Sequence, residues 1–253
     1  MGRIVTSRNY PQARYRNQIV SRFVTSITRK KETTPKNQVC VAILSAGNGS
    51  RIKSYEPRSL LKIKGEYLID HQINVLNECF KLPEIITVVG CHANRVIKKS
   101  KHRTRMVENQ LHEESNSSES LRLAFNNTQH ENILFMHGDL YFNKSTLDVS
   151  FDKSFIIVDT KERFKDSEVG ATIQQGMLTT LSYGLPTKWA QIAFITGNEH
   201  RILNNIFHKY EPQDKKRLSF EIINMILEAG GEFACHEPKK MAIKEIDRIK
   251  DIR

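Results

Sequence analysis

The chain has no run of apolar residues approaching the roughly 18 needed to span a bilayer, so a transmembrane helix is excluded from its sequence pattern. It shows no charged, then apolar, then small-residue leader, so secretion is not expected. Cysteine is sparse. Cys40, Cys79, Cys91 and Cys235 stand apart with no CxxC spacing, which argues against a disulfide framework or a zinc site and fits a reducing, cytoplasmic setting. Tryptophan occurs once, at Trp189. There is no internal repeat and no long low-complexity tract. Acidic residues are almost missing from positions 1–38, where Glu32 stands against nine Lys/Arg, whereas the remaining residues hold 30 Lys/Arg and 27 Asp/Glu. The net charge of +11 is therefore mainly a property of the first segment. Nucleic acid is not an expected partner of the rest.

What is present divides the chain in two. Residues 1–38 form a basic N-terminal extension ending in a Thr-Thr-Pro-Lys-Asn-Gln linker. Within it, Ile19, Val20, Phe23, Val24 and Ile27 recur at helical spacing among Arg16, Arg22 and Arg29. The ordinary reading is a packed helix or a frayed tail. The alternative is a membrane-surface, RNA-binding or targeting helix, although nothing specific supports membrane association. Residues 39–253 form a single domain, a length able to bury a core without staples.

The main domain opens on Val39–Leu44, a continuous apolar run expected of a strand buried on both faces of a parallel sheet. Further buried strands are predicted at 85–89 and 133–136, with a shorter one at 106–107. Helices are predicted at 67–80, 92–99 and 117–125. This strand–helix alternation implies an α/β fold with an open, mainly parallel sheet flanked by helices. The second half, with short strands predicted at 154–158, 170–174, 177–183 and 191–195, extends the sheet in mixed or antiparallel fashion. Helices are expected at 199–207 and 219–228, a last strand at 233–235, and Ala242 to Asp247 leads into a terminal turn or helix.

Ligands of open α/β sheets bind beyond the carboxyl ends of the strands, and two features lie there. The loop Ala46-Gly47-Asn48-Gly49-Ser50-Arg51 follows the first strand. Its glycines allow backbone amides to approach phosphate oxygens, and Arg51 adds a fork of donors. Taken alone it is equally an ordinary tight turn. Gly138-Asp139 ends the third buried strand, where a carboxylate beside a triphosphate suits magnesium. Taken alone, Asp139 is equally a turn or cap residue.

Together the motifs resemble a family. Ala42–Arg51 followed by Pro57-Arg58-Ser59-Leu60-Leu61-Lys62-Ile63-Lys64-Gly65 resembles the opening signature of the nucleotidyltransferases that activate sugar 1-phosphates, phosphocholine and related acceptors, within the MobA-like NTP transferase superfamily. Val88-Val89-Gly90 resembles that family's second strand and glycine. Asn116–Leu121 resembles the Asn-Ser-x-x-Ser-Leu segment of its phosphocholine-type members. Glu245–Ile252 resembles the closing motif whose first Asp is a second metal ligand. The resemblance implies a Rossmann-like open mixed sheet of the GT-A-like nucleotidyltransferase type, with Mg2+ as cofactor. Asp139 and Asp247 would hold the metal. Leu44, Ala46, Gly47, Asn48, Gly49 and Ser50, with Asn109 and Asn116, would line the nucleotide site. Arg51, Arg58 and Lys62 would act on the phosphates. The family has lysine where Arg58 stands, and Lys62 is the alternative phosphate contact.

The implied reaction transfers a nucleoside monophosphate from a triphosphate, with CTP favoured, to a small phosphorylated or phosphonate acceptor. Trp189 would flank a quaternary ammonium through cation–π attraction, or it is simply core. The rival readings are a GT-A-type glycosyltransferase, a catalytically inactive relative and an RNA-binding protein acting through residues 1–38. Against the first, Asp139-Leu140-Tyr141 lacks the second aspartate of an Asp-x-Asp motif.

Overall fold

The computed structural model describes residues 38–47, 57–100, 103–161 and 168–246, all within the unit Pro35–Arg253. The basic extension, Asn48, Gly49, Ser50, Arg51 and Asp247 lie outside the described residues.

Strand β1 (Cys40–Ser45) lies inside the parallel part of a nine-stranded sheet. It pairs in parallel with β4 (Glu84–Val89) on one side and β6 (Ile133–His137) on the other. β5 (Arg105–Glu108) adds in parallel beyond β4. The apolar run at 39–44 is buried as expected, and its alternation divides the core in two. Val41 and Ile43 point into one layer with Ile69, Ile73 and Leu76, while Cys40, Ala42 and Leu44 point into the other with Leu121, Ile222 and Ile223. Helices α1 (Leu68–Cys79) and α2 (Ala93–Ser100) cover the first face. Helices α3 (Ser117–Phe125), α4 (Gly197–His208) and α5 (Ser219–Glu228) cover the second. Burial raises the Cys40 thiol to about 12, so it sits in this core as a small inert apolar group.

Beyond β6 the sheet turns antiparallel through β11 (Thr187–Ile195), then continues to β8 (Phe155–Asp159), β12 (Ala234–His236), β10 (Met177–Tyr183) and β9 (Val169–Gln174). β9 pairs back to β11, closing these five strands into a ring. The mixed extension expected from sequence is thus present. β11 begins four residues before the predicted strand, so Trp189 lies inside it. Its register with β8 breaks between Trp189 and Ala193, where Gln191 takes φ 57°. A side chain with positive φ in a strand marks a local bulge that re-aims it.

Within the segment from Ala242, β13 (Ile243–Glu245) pairs antiparallel with β7 (Leu140–Phe142), and the terminal turn or helix expected to follow lies outside the described residues. Three-residue strands carry no period to read, and this one is selected by its partner rather than by its own pattern. The turn Lys64-Gly65 joins β2 (Lys62–Ile63) to β3 (Glu66–Tyr67). Both turn residues have positive φ, 52° and 88°, as a two-residue hairpin of matching twist requires. No described helix is long and apolar enough to cross a membrane.

Gly90 ends β4 where three segments meet. A Cβ there would come within 2.5 Å of the His112 Cβ and 2.7 Å of the Ala46 carbonyl oxygen. Gly90→Ala is therefore expected to destabilise the domain by roughly 1–3 kcal/mol, since backbone must shift to admit the methyl. Urea unfolding checks this, and an unchanged midpoint would contradict the close packing.

Candidate active site

The carboxyl ends of β1, β4 and β6 open into a cavity of about 490 Å3. One wall is the first loop, represented among the described residues by Leu44, Ser45, Ala46 and Gly47. The floor is the turn His137-Gly138-Asp139 at the end of β6. The turn is pulled against β1 by the Gly138 amide, which donates to the Leu44 carbonyl at 2.9 Å. A Cβ on Gly138 would meet the Ser45 Cβ and Oγ at 2.7 Å, so the two strand ends approach this closely only because 138 is glycine.

The turn is held from two other sides. Gln72 on α1 is fully buried, and its Nε2 donates to the His137 carbonyl at 3.1 Å and the Leu140 carbonyl at 2.8 Å. The Ile246 amide donates to the Asp139 carbonyl at 2.8 Å, continuing the β7–β13 pairing. The residue directly before Asp247 is thus bonded to Asp139 although the sequence separates the two aspartates widely. His137 faces the other layer, its Nε2 2.9 Å from the Ser219 Oγ at the start of α5. Burial lowers its pKa, opposed by Asp139 and aided by Arg58, so the imidazole is held toward its neutral form.

Arg58 and Asp139 share the cavity and contact each other through Nη1 and Oδ2. Arg58 heads a short 3-10 turn, Arg58–Leu60, anchored by buried Ser59 and Leu60. It was expected at the leaving phosphates; it does line the cavity, where its guanidinium contacts the Asp139 carboxylate. The other oxygen of that carboxylate, Asp139 Oδ1, is buried with no hydrogen-bond partner. Lys62 is not brought to the cavity. It is exposed on the β2–β3 hairpin, with Nζ 5.1 Å from the Tyr67 ring centroid.

Asn109 and Asn116 both line the cavity. Asn109 is 2% exposed; its Nδ2 donates to Ser115 Oγ at 3.0 Å and its Oδ1 accepts from the Leu111 amide at 3.0 Å. It shapes the loop after β5. Asn116 precedes α3, and its Nδ2 donates to the Lys216 carbonyl at 2.7 Å, tying the 212–217 segment to that helix. His112, not singled out from sequence, lines the same wall with a buried Nδ1 lacking a hydrogen-bond partner. The N-terminal ends of α3 and α5 also border the cavity, where their helix dipoles favour anions, although the Ser118, Ser219 and Glu221 amides are already bonded within the protein.

Further lining comes from Glu168, Tyr183, Trp189, Gln191 and Glu245. Glu168 pairs with Lys188 at 3.6 Å, and Glu245 accepts from Gln191 Nε2 at 2.6 Å. Trp189 is both core and wall. It is 2% exposed, its indole N–H donates to the Ile192 carbonyl at 3.2 Å, and it packs edge-on to His137 at 5.9 Å. Of these residues the sequence flagged only Trp189.

This mixed sheet flanked by helices is the GT-A-like fold, and solved nucleotidyltransferase structures share it. The inositol-1-phosphate CTP transferase from T. maritima superposes with a TM-score of 0.72 at 14% identity, covering 86% of this chain and 92% of that one. The CTP:phosphocholine cytidylyltransferase from Streptococcus pneumoniae gives 0.67 at 20% identity, covering 85% and 96%. More particularly, residues 41–154 match the family model of the MobA-like NTP transferase domain. Among curated proteins, the bifunctional protein GlmU of Campylobacter lari is 31% identical over 107 residues, 41% of this chain and 24% of that protein. That of Koribacter versatilis is 35% identical over 63 residues, 25% and 13%. The chain thus spans a quarter or less of the length of these relatives.

Gln72 was missed although a signal existed, since it falls on the apolar face of α1, four residues after Leu68 and three after Ile69. Gln72→Leu keeps the bulk but leaves the His137 and Leu140 carbonyls without that donor. It is expected to cost roughly 1–3 kcal/mol in denaturant unfolding. A change within about 0.5 kcal/mol, the range of ordinary surface substitutions, would show that the turn does not depend on it.

Proposed function

We propose that this protein transfers a nucleoside monophosphate from a nucleoside triphosphate, CTP in the favoured reading, to a small phosphorylated or phosphonate acceptor, releasing pyrophosphate. The observation that carries the reading is the convergence, in one cavity, of the loop after β1, Arg58 and the Asp139 turn, with the chain leading into Asp247 bonded to that same turn.

Magnesium fits this site. Asp139 Oδ1 is a buried oxygen with no partner, and magnesium takes one or two carboxylates together with phosphate oxygens. Asp139 and Asp247 would hold it, and when bound it would neutralise charge on the triphosphate. The protein's own groups do the remainder. An acceptor oxygen that is already anionic attacks the α-phosphorus, the bond from that phosphorus to the bridging oxygen breaks, and pyrophosphate leaves with the electron pair. No proton needs to move, so positioning and charge complementarity dominate. The loop 46–51 with Arg51 and Arg58 binds the departing phosphates.

Two groups of lining residues differ in a way that supports a division of labour. The wall of Asn109, His112, Ser115, Asn116 and Ser120 is rich in neutral donors and acceptors, which suits a nucleobase edge. The group of Glu168, Tyr183, Trp189 and Glu245 combines carboxylates with aromatic surface, which suits an acceptor carrying an amine or quaternary ammonium. The names of the two structural relatives, which act with CTP on inositol 1-phosphate and on phosphocholine, agree with a CTP-dependent reading.

The test is a pyrophosphate-release screen of four nucleoside triphosphates against phosphorylated sugars, phosphocholine, phosphoethanolamine and phosphonates. At least one pair should turn over, with CTP and a phospho-amine foremost. Asp139→Ala and Asp247→Ala should each lower turnover by about 100-fold or more. Turnover that survives both substitutions would refute the assignment, and binding without turnover of any pair would favour the inactive-relative reading.

A further inference from the structure

Asp139 has two carboxylate oxygens, and neither is open to a hydrated ion arriving from solvent. Oδ2 is taken by the Arg58 guanidinium, and Oδ1 is buried within the protein. The two side chains are only 18% and 13% exposed, so the pair is weakly screened. A divalent cation approaching this carboxylate meets a charge already neutralised and a like charge beside it. The departure noted in the sequence gives this contact its character. A guanidinium presents a planar fork matched to a carboxylate, where lysine offers a compact, more mobile point charge.

A triphosphate changes the balance. It carries several negative charges, and the loop after β1 and the N-terminal ends of α3 and α5 border the same cavity. Arg58 is tethered by the buried Ser59 and Leu60 of its turn, so the long side chain rather than the backbone is what can swing from the carboxylate to the phosphates. That movement would uncover Asp139 at the moment the phosphates arrive.

We infer that Arg58 is an interlock between nucleotide and metal: in the nucleotide-free protein it holds Asp139 closed to divalent cations, and it releases that carboxylate only when a triphosphate draws the guanidinium away. This rests on the nucleotidyltransferase reading and adds to it an order of events. The metal enters with the nucleotide, and the protein alone has little affinity for it. The inference gives the arginine a task beyond holding phosphate.

The experiment reads metal binding rather than turnover. Full-length protein without nucleotide is titrated with Mn2+, and unbound Mn2+ is followed by electron paramagnetic resonance. Wild type is expected to show no saturable site at micromolar Mn2+. Arg58→Ala and Arg58→Gln are each expected to bind Mn2+ tighter by roughly tenfold or more, because a like charge has been removed from beside the ligand. The gain should vanish when Asp139→Asn is added. Near-ultraviolet circular dichroism establishes folding, and Arg58→Gln, which keeps much of the side-chain bulk, serves if the alanine variant does not fold. In EDTA, metal-free CTP should bind wild type more tightly than either variant. Wild type that takes up Mn2+ alone as tightly as the folded variants, while still binding CTP, overturns the interlock and leaves the enzymatic reading standing. Failure of wild type to bind any of the four triphosphates, with or without Mn2+, overturns both.

Discussion

The site depends on one turn of three residues, His137-Gly138-Asp139, tied on every side by backbone hydrogen bonds. β1 holds it through the Gly138 amide, β13 reaches it through the Ile246 amide, and α1 grips its flanking carbonyls through Gln72. None of these contacts is local in sequence. Each demands that a different long-range element be in place, so the carboxylate of Asp139 is aimed only in the folded sheet. The physical cause is the need to satisfy backbone polar groups at the end of a buried strand, where water is not available to do so. Helices and strands on three sides supply the partners, and the catalytic geometry follows from meeting that need.

The same constraint explains the glycines at the strand ends. At Gly138 and Gly90 an added Cβ would fall inside the contact distance of Ser45, Ala46 or His112. The ends of β1, β4 and β6 are drawn together more closely than side chains would permit, and the cavity opens where they meet. Charge is then arranged around that opening. An arginine, several carboxylates, a tryptophan and two helix N-terminal ends line that opening.

Much of this was legible in the sequence. The apolar runs at 39–44, 85–89 and 133–136 are readable because strands buried on both faces need apolar side chains at every position. The turn Gly138-Asp139 is readable as the glycine-bearing end of a buried strand, whereas most of the loop after β1 lies outside the described residues. Less legible were elements fixed by partners. β7 and β13 are three-residue strands chosen by mutual pairing, and the bulge at Gln191 is a backbone event with no periodic trace. Gln72 was visible as a polar residue on an apolar helix face, but its target carbonyls lie more than sixty positions away. His112 carries no motif, and only the fold puts its ring beside Gly90. The contact between Arg58 and Asp139 was equally hidden, since sequence supplied the two residues as separate parts of a phosphate site and a metal site.

The central claim is that the turn bearing Asp139 and the segment beginning at Asp247 together form the centre at which a triphosphate is bound with its metal. The direct measurement is a crystal structure with Mn2+ and a non-hydrolysable CTP analogue, with manganese located by its anomalous scattering. The account predicts one anomalous peak within coordination distance of Asp139 and Asp247 and in contact with the triphosphate, whose β- and γ-phosphates lie against the loop after β1. A nucleotide seated elsewhere, or a manganese that touches neither aspartate, would contradict it.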